Sequence, residues 1–264
     1  MIKASRFESL PPWAAMLAAA GLDQFQAWWT LRLDEVEAGN RQRGGWSSVC
    51  RYHLAPDVGV FVKRQQDHVF RSAWHPLRGR LTAEREFRIL LRCQAAGIPV
   101  AEPLLFATQP VDGRQRGVLV TRELAGYRPL DELTAQWQDA GWPQRRQRVL
   151  QAVAAVVRRL HAMHLEHNCL YPKHIMVNLD WLAERDATPA APVALIDLEK
   201  CKWRLRRVDC ARRDLDSLNR RSPGWSRADR RRFIGYYLAA GRHLQGPGAR
   251  LWHWLARRGR APHG

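Results

Sequence analysis

From Val149 to Asp197 the chain passes through a helical stripe, a polar loop and an apolar strand, and this succession restricts its fold more than any other feature. Val149, Val153, Val156, Val157, Leu160 and Met163 recur at intervals of three and four, the pattern of a central, buried helix. Val193-Ala194-Leu195-Ile196 is a short apolar run ending in Asp197, which reads as a buried strand. Between them, residues 165–178 spell L-E-H-N-C-L-Y-P-K-H-I-M-V-N, dense in His, Cys, Tyr and Lys. Residues 180–192, with Thr188-Pro189 and Ala191-Pro192, have loop composition. Polar, reactive side chains held between two buried elements are laid out as a catalytic loop is.

Upstream the pattern is strand-rich. Gly44-Gly45 precede residues of strand character up to Leu54, Ala55-Pro56-Asp57 signals a turn, and Val58 to Val62 reads as a second strand ending at Lys63. Glycine lets a backbone come close to a ligand, so this hairpin is a candidate phosphate cover. By itself the glycine pair reads first as an ordinary hairpin turn. Thr82 to Ala96 carries apolar residues at 83, 87, 90, 91 and 95, a helical stripe closed by Gly97. Glu84 and Glu86 suit the positive end of that helix, and Glu86, beside Phe87, is the better candidate to face Lys63. A hairpin follows over 104–107 and 117–121 around Asp112-Gly113, and Arg122 to Leu133 reads as a linker turning into a helix near Pro129. Residues 13–38, with Trp13, Trp28 and Trp29, read as one or two helices or a helix and a strand, and 212–218, 233–238 and 251–255 as three helices.

With 264 residues, 46% of them hydrophobic, the chain can bury a sizeable core. Its 43 basic against 25 acidic residues give +18, which calls for an anionic partner: nucleic acid, an anionic membrane surface or a phosphorylated glycolipid. Residues 200–207, 227–233 and 250–260 interleave those cations with aromatics, a composition that favours the lipid surface. Five cysteines without a C-x-x-C pair suggest neither a disulfide framework nor a zinc ribbon, and fit a reducing, cytoplasmic setting. His161, His164 and His167 with Cys169 would be a zinc set only if a second ligand cluster joined them, and none is evident. The N-terminal stretch lacks the apolar core of a signal peptide, and no run reaches membrane-span length.

The loop spacing resembles the protein-kinase catalytic loop H-R-D-L-K-P-E-N, with His167 first, Pro172 at the proline and His174 at the metal-binding Asn. Val60-Phe61-Val62-Lys63 likewise resembles the strand V-A-I-K. Together with C-L-Y-P-K-H-I (169–175), G-I-P-V (97–100), V-T-R-E-L-A-G-Y-R-P-L (120–130) and L-I-D-L-E-K (195–200), these make the chain similar to the lipopolysaccharide core kinase family, the Kdo/WaaP and InaA group.

The resemblance implies an α+β, bilobal protein-kinase-like fold: an N-terminal extension (1–39), a small β lobe with one helix and the hinge (40–124), and a mainly helical lobe with basic C-terminal helices (125–264). It implies ATP and Mg2+ as cofactors and transfer to a sugar hydroxyl of the lipopolysaccharide inner core, peripherally at the cytoplasmic side of the inner membrane. Gly44, Gly45, Lys63 and Glu86 would hold the phosphates, and Arg122, Glu123 and Leu124 would border the adenine. Asp197 and His174 would hold the metal, and Asp214 would brace the catalytic loop.

One position departs from the pattern. Cys169 stands where the catalytic Asp belongs, and a protonated thiol is a poor base. His167, a thiolate at Cys169, or Lys173 in place of the phosphate-contacting lysine are the candidate substitutes. The same departure supports a pseudokinase that binds nucleotide without transfer, and charge alone supports a nucleic-acid-binding protein, the weaker alternative.

Overall fold

A computed structural model describes residues 5–42, 45–72, 75–137, 142–183, 191–239 and 244–258. The chain divides into two compact units, residues 1–94 with 101–125, and residues 95–100 with 126–264. In chain order the first contains β1 (Arg6–Ser9), α1 (Trp13–Ala19), α2 (Phe25–Thr30), β2 (Asp34–Gln42), β3 (Gly45–Ala55), β4 (Val58–Gln66), β5 (Val69–Ser72), β6 (His75–Leu81), α3 (Thr82–Ala95), β7 (Pro103–Val111) and β8 (Arg114–Arg122). Six of these strands form one antiparallel sheet in the order β1-β7-β8-β4-β3-β2, while β5 and β6 pair separately.

Strand alternation gives that sheet two different faces. On one, Val58, Val60 and Val62 pack with Leu104, Val118 and Val120 against Trp13, Leu17, Phe25 and Trp28 of α1 and α2. Most of these side chains are fully buried, each worth about 1.5–3 kcal/mol relative to exposure. The stretch expected as an extension thus supplies an edge strand and a helical cover for the sheet, and Leu10 N–H extends the edge by donating to Leu104. The other face carries Lys63 and Gln65 toward α3, where Phe87 stacks on Phe106 at 5.5 Å between centroids.

The second unit continues with β9 (Tyr127–Pro129), α4 (Leu130–Thr134), α5 (Trp142–Ala162), β10 (Leu165–Glu166), β11 (Ile175–Asn178), α6 (Leu179–Leu182), β12 (Val193–Leu195), β13 (Lys202–Trp203), α7 (Arg207–Arg220), α8 (Arg227–Leu238) and α9 (Gly246–Arg258). Helix α5 is the expected central helix, with Val149, Val153, Val157 and Leu160 wholly buried. Short α6 occupies the first part of the expected loop 180–192, its Asn178 side chain accepting from Trp181 N–H. All five cysteines are buried and none is in a disulfide, and burial pushes the Cys93 thiol to about 12 and Cys210 to about 11.

Candidate active site

In the first unit, Lys63 lies in mid-β4 between Val49 of β3 and Leu119 of β8. Its Nζ donates to Glu86 Oε2 at 2.6 Å, with side-chain exposures of only 16% and 8%. Glu84 takes a different environment: Arg88 approaches at 2.9 Å and Arg80 at 3.4 Å, with Arg6 at 3.8 Å. The pairing is aimed by Gln65, two residues after Lys63 and so on the same face of β4. Fully buried, Gln65 accepts from Ala83 N–H at 2.9 Å and bonds the Thr82 hydroxyl, capping the start of α3. One strand therefore carries the lysine and fixes the helix that carries its glutamate. Gln65 was not singled out from the sequence, although its period-two spacing from Lys63 is a usable signal.

Gly45 opens β3 opposite Gln42, and a Cβ there would lie 2.4 Å from the Asp67 carbonyl carbon and the Gln66 oxygen. The close approach of two backbones is a sufficient reason for this glycine, so its expected duty toward a phosphate has no separate support. Gly44 lies outside the described residues. At the end of β8, the Arg122 guanidinium lies over Trp13 and Glu123 pairs with Arg51 at 2.9 Å. Both side chains are thereby engaged inside the unit, and the Glu123 N–H donates to Gly59.

In the second unit, β11 and β12 pair so that Ile175 faces Leu195, and the pairing continues with Ile196 N–H donating to the His174 carbonyl. This register places His174, just before β11, beside Asp197, just after β12. His174 Nδ1 lies 2.8 Å from the Cys169 carbonyl, which can only accept, so Nδ1 carries the proton. Nε2 faces Asp197 Oδ2, 3.5 Å away. Two electron-pair donors facing each other are satisfied by a proton or a cation between them. Asp197 adopts a left-handed conformation (φ 58°, ψ 54°), a strained backbone of the kind found at functional sites.

Asp214 of α7 anchors the loop. Wholly buried, it accepts from His167 N–H at 2.6 Å and Asn168 N–H at 2.8 Å, and it meets His161 Nε2 at 3.0 Å. His161 also reaches the Tyr237 hydroxyl at 2.9 Å. Replacing Asp214 by Ala leaves two buried N–H donors unmatched, so Asp214→Ala is expected to cost about 3 kcal/mol or more. Asp214→Asn, which keeps one acceptor oxygen, is expected to cost less; urea denaturation of the three proteins measures both.

His167 is fully buried, with Nε2 3.1 Å from the Ile196 carbonyl and Nδ1 without a partner. Burial holds its imidazole below the ordinary range, against a weaker opposing pull from Asp214. The ring is thus neutral and donates through Nε2, serving as a strut between the loop and the strand end rather than an exposed base. Cys169 is only 5% exposed. Lys173 is exposed on the single turn Pro172–His174 and lines a groove of about 660 Å³ with Tyr171, Arg220 and Arg221. The Arg221 guanidinium lies 4.1 Å over the Tyr171 ring, and Arg220 is held by Asp216 at 3.2 Å. These arginines follow the loop by almost fifty residues, and nothing in local sequence ties them to it.

The chain matches the model of the lipopolysaccharide kinase (Kdo/WaaP) family over residues 26–237. It is 30% identical over 226 residues to Protein InaA of Escherichia coli, covering 85% of this chain and 100% of that protein. It is also 26% identical over 187 residues to the lipopolysaccharide core heptose(I) kinase WaaP of Pseudomonas aeruginosa, covering 67% of this chain and 68% of the relative. Among solved structures, WaaP in complex with acyl carrier protein superposes with a TM-score of 0.69 at 23% identity, covering 96% of this chain and 98% of the other, which bears out the expected α+β fold. The helix, loop and strand from which the fold was first read are thus those of a known group, and the chain belongs to the lipopolysaccharide kinase (Kdo/WaaP) family.

Proposed function

We propose that this protein is an ATP-dependent kinase that phosphorylates a sugar hydroxyl of the lipopolysaccharide inner core at the cytoplasmic face of the inner membrane. The observation that carries the reading is the Lys63–Glu86 pair, a shielded lysine steered by a buried glutamate at 2.6 Å. Phosphoryl transfer demands mainly positioning and cations that neutralise charge on the transferred group, and a steered lysine serves both needs. Magnesium-bound ATP supplies the phosphoryl group and part of that neutralisation when present. Lys63 would hold its phosphates, the main chain around Glu123 and Leu124 would border the adenine, and Asp197 would hold the metal. The facing His174 and Asp197 fit a cation by geometry, and the carboxylate fits magnesium by chemistry. Imidazole is a poor magnesium ligand, so His174 is assigned the task of orienting Asp197.

The groove of Lys173, Arg220, Arg221 and Tyr171 suits an acceptor bearing phosphate or carboxylate groups, since guanidinium forks bind both in two-point fashion. Burial counts against His167 as the base, so this reading assigns acceptor deprotonation to position 169. A second reading rests on that residue: with a buried thiol in the place of an aspartate, the protein would bind nucleotide without transferring phosphate.

The deciding experiment is transfer of labelled γ-phosphate from ATP to purified lipopolysaccharide core, alongside nucleotide binding. Transfer by the wild-type protein is expected, and Lys63→Ala is expected to weaken ATP binding about tenfold or more through loss of a shielded charge contact. Binding of magnesium and ATP without transfer to any core acceptor selects the second reading. No nucleotide binding at all, together with salt-sensitive nucleic-acid binding indifferent to Lys63→Ala, overturns both.

A further inference from the structure

Soluble surfaces expose single apolar side chains routinely, but clustered ones call for a partner. Among the described residues, the large apolar side chains that stand exposed are Met16 and, within six positions, Trp203 (62%), Leu205 (76%) and Val208 (46%). The surrounding charge is of one sign. Residues 200–213 contain Lys200, Lys202, Arg204, Arg206, Arg207, Arg212 and Arg213 against one acid, Asp209. The buried Glu166, opposite Lys202 in the strand pair, is already matched by Arg204 at 3.2 Å. Apolar tips set among cations are the chemistry of an anionic bilayer surface: indole and leucine enter the boundary between headgroups and acyl chains while lysine and arginine meet phosphates.

The segment is also rigidly seated. Strand β13 pairs with β10, Trp203 opposite Leu165 and Lys202 opposite Glu166. Arg204 N–H donates to the His164 carbonyl at 2.8 Å, and the Trp203 ring stacks on His164 at 6.1 Å. Glu166 directly precedes His167, the first residue of the candidate catalytic loop. A surface held at residues 202–208 is therefore tied through one short strand pair to the loop whose acceptor is a lipid-anchored sugar in the proposed reading.

We infer that residues 202–208 are a membrane-docking tip, with Trp203 and Leu205 inserted into an anionic phospholipid surface and Lys202, Arg206 and Arg207 on its phosphates. No described helix is long and apolar enough to cross a membrane, so this contact is made from the side. The inference does not depend on catalysis, and its test uses no activity.

The full-length protein is floated with phosphatidylcholine vesicles, with and without phosphatidylglycerol. Binding to the anionic vesicles alone is expected, with at least about a tenfold loss in Trp203→Ser/Leu205→Ser, since each substitution removes a large apolar group that would enter the bilayer. Arg206→Ala/Arg207→Ala is expected to weaken binding and flatten its salt dependence. Met16→Ser, an exposed apolar control, is expected to bind as wild type does. Because 62% of Trp203 is already in solvent, its variants are expected to melt as wild type does. Trp203→Phe, which keeps the apolar tip, is expected to bind while losing part of the tryptophan quenching caused by brominated lipid. Wild-type protein that ignores anionic vesicles, or binds them equally with Trp203→Ser/Leu205→Ser, overturns the inference. A tip that instead captures a soluble acidic protein, with no vesicle binding, overturns it in favour of a protein partner.

Discussion

Asp197→Asn is expected to lower phosphoryl transfer by about 10³-fold while the protein stays folded. The substitution keeps size and shape but removes the formal charge, and a hard cation that keeps its water reluctantly is held by charge more than by shape. Asp197 is suited to separate the two effects, because it follows β12 in a left-handed turn and its Oδ2 faces His174 Nε2 at 3.5 Å. An Asn amide can donate to that nitrogen, so the local structure has a substitute bond and the melting temperature is expected to move little. The loss should appear in kcat, with a higher magnesium concentration needed for half-maximal rate, while metal-free nucleotide binding through Lys63 persists. Turnover unchanged by Asp197→Asn, at any magnesium concentration, would remove Asp197 from the mechanism.

How far such a site can be read from sequence depends on whether its contacts are local. Lys63 and Glu86 were legible because each lies in a short-range pattern: an apolar strand run leading into Lys63, although β4 continues to Gln66, and a helical stripe with Glu86 beside Phe87. The choice of Glu86 over Glu84 has a plain cause in the structure, since three arginines surround Glu84. The position of His174 beside Asp197 follows from hairpin register, a two-strand property that a linear reading reaches only when both strands are recognised.

Elsewhere the controlling contacts were remote. Gly45 is a candidate phosphate cover or a turn glycine by sequence, and the backbone of Asp67, more than twenty residues on, is by itself a sufficient reason for it. Residues 13–38 carry helical spacing, but nothing in the four residues of β1 before them announces that they will pair with β7 about a hundred positions later. The groove arginines have the same character, for their placement beside Tyr171 depends on where α7 ends. His167 stands differently again. Its spacing was legible, but its burial was not, and burial is what makes it a neutral strut.

Cys169→Asp is expected to raise the rate of transfer per folded molecule by about 10²-fold or more, the gain that a positioned base supplies. The frame for such a base is already built. Asp214 fixes the two preceding N–H groups, the Cys169 carbonyl is bonded by His174 Nδ1 at 2.8 Å and by Tyr171 N–H at 2.8 Å, and the turn Pro172–His174 follows at once. What the frame lacks is an acceptor for the hydroxyl proton. A carboxylate at a position 5% exposed carries a desolvation cost, so the variant is expected to be less stable by about 1–3 kcal/mol. Rates must therefore be normalised to folded protein. Cys169→Asn separates charge from shape: it offers hydrogen bonds without basicity and is expected to show no gain. ATP affinity should be the same in all three proteins, because the Lys63–Glu86 pair lies in the other unit and has its own fixed geometry. If Cys169→Asp is slower than wild type and Cys169→Ala slower still, the thiol itself serves the reaction, and the protein is a kinase with altered rather than weakened chemistry. If no substitution at 169 produces transfer, the missing part lies elsewhere and the nucleotide-binding reading without transfer takes its place.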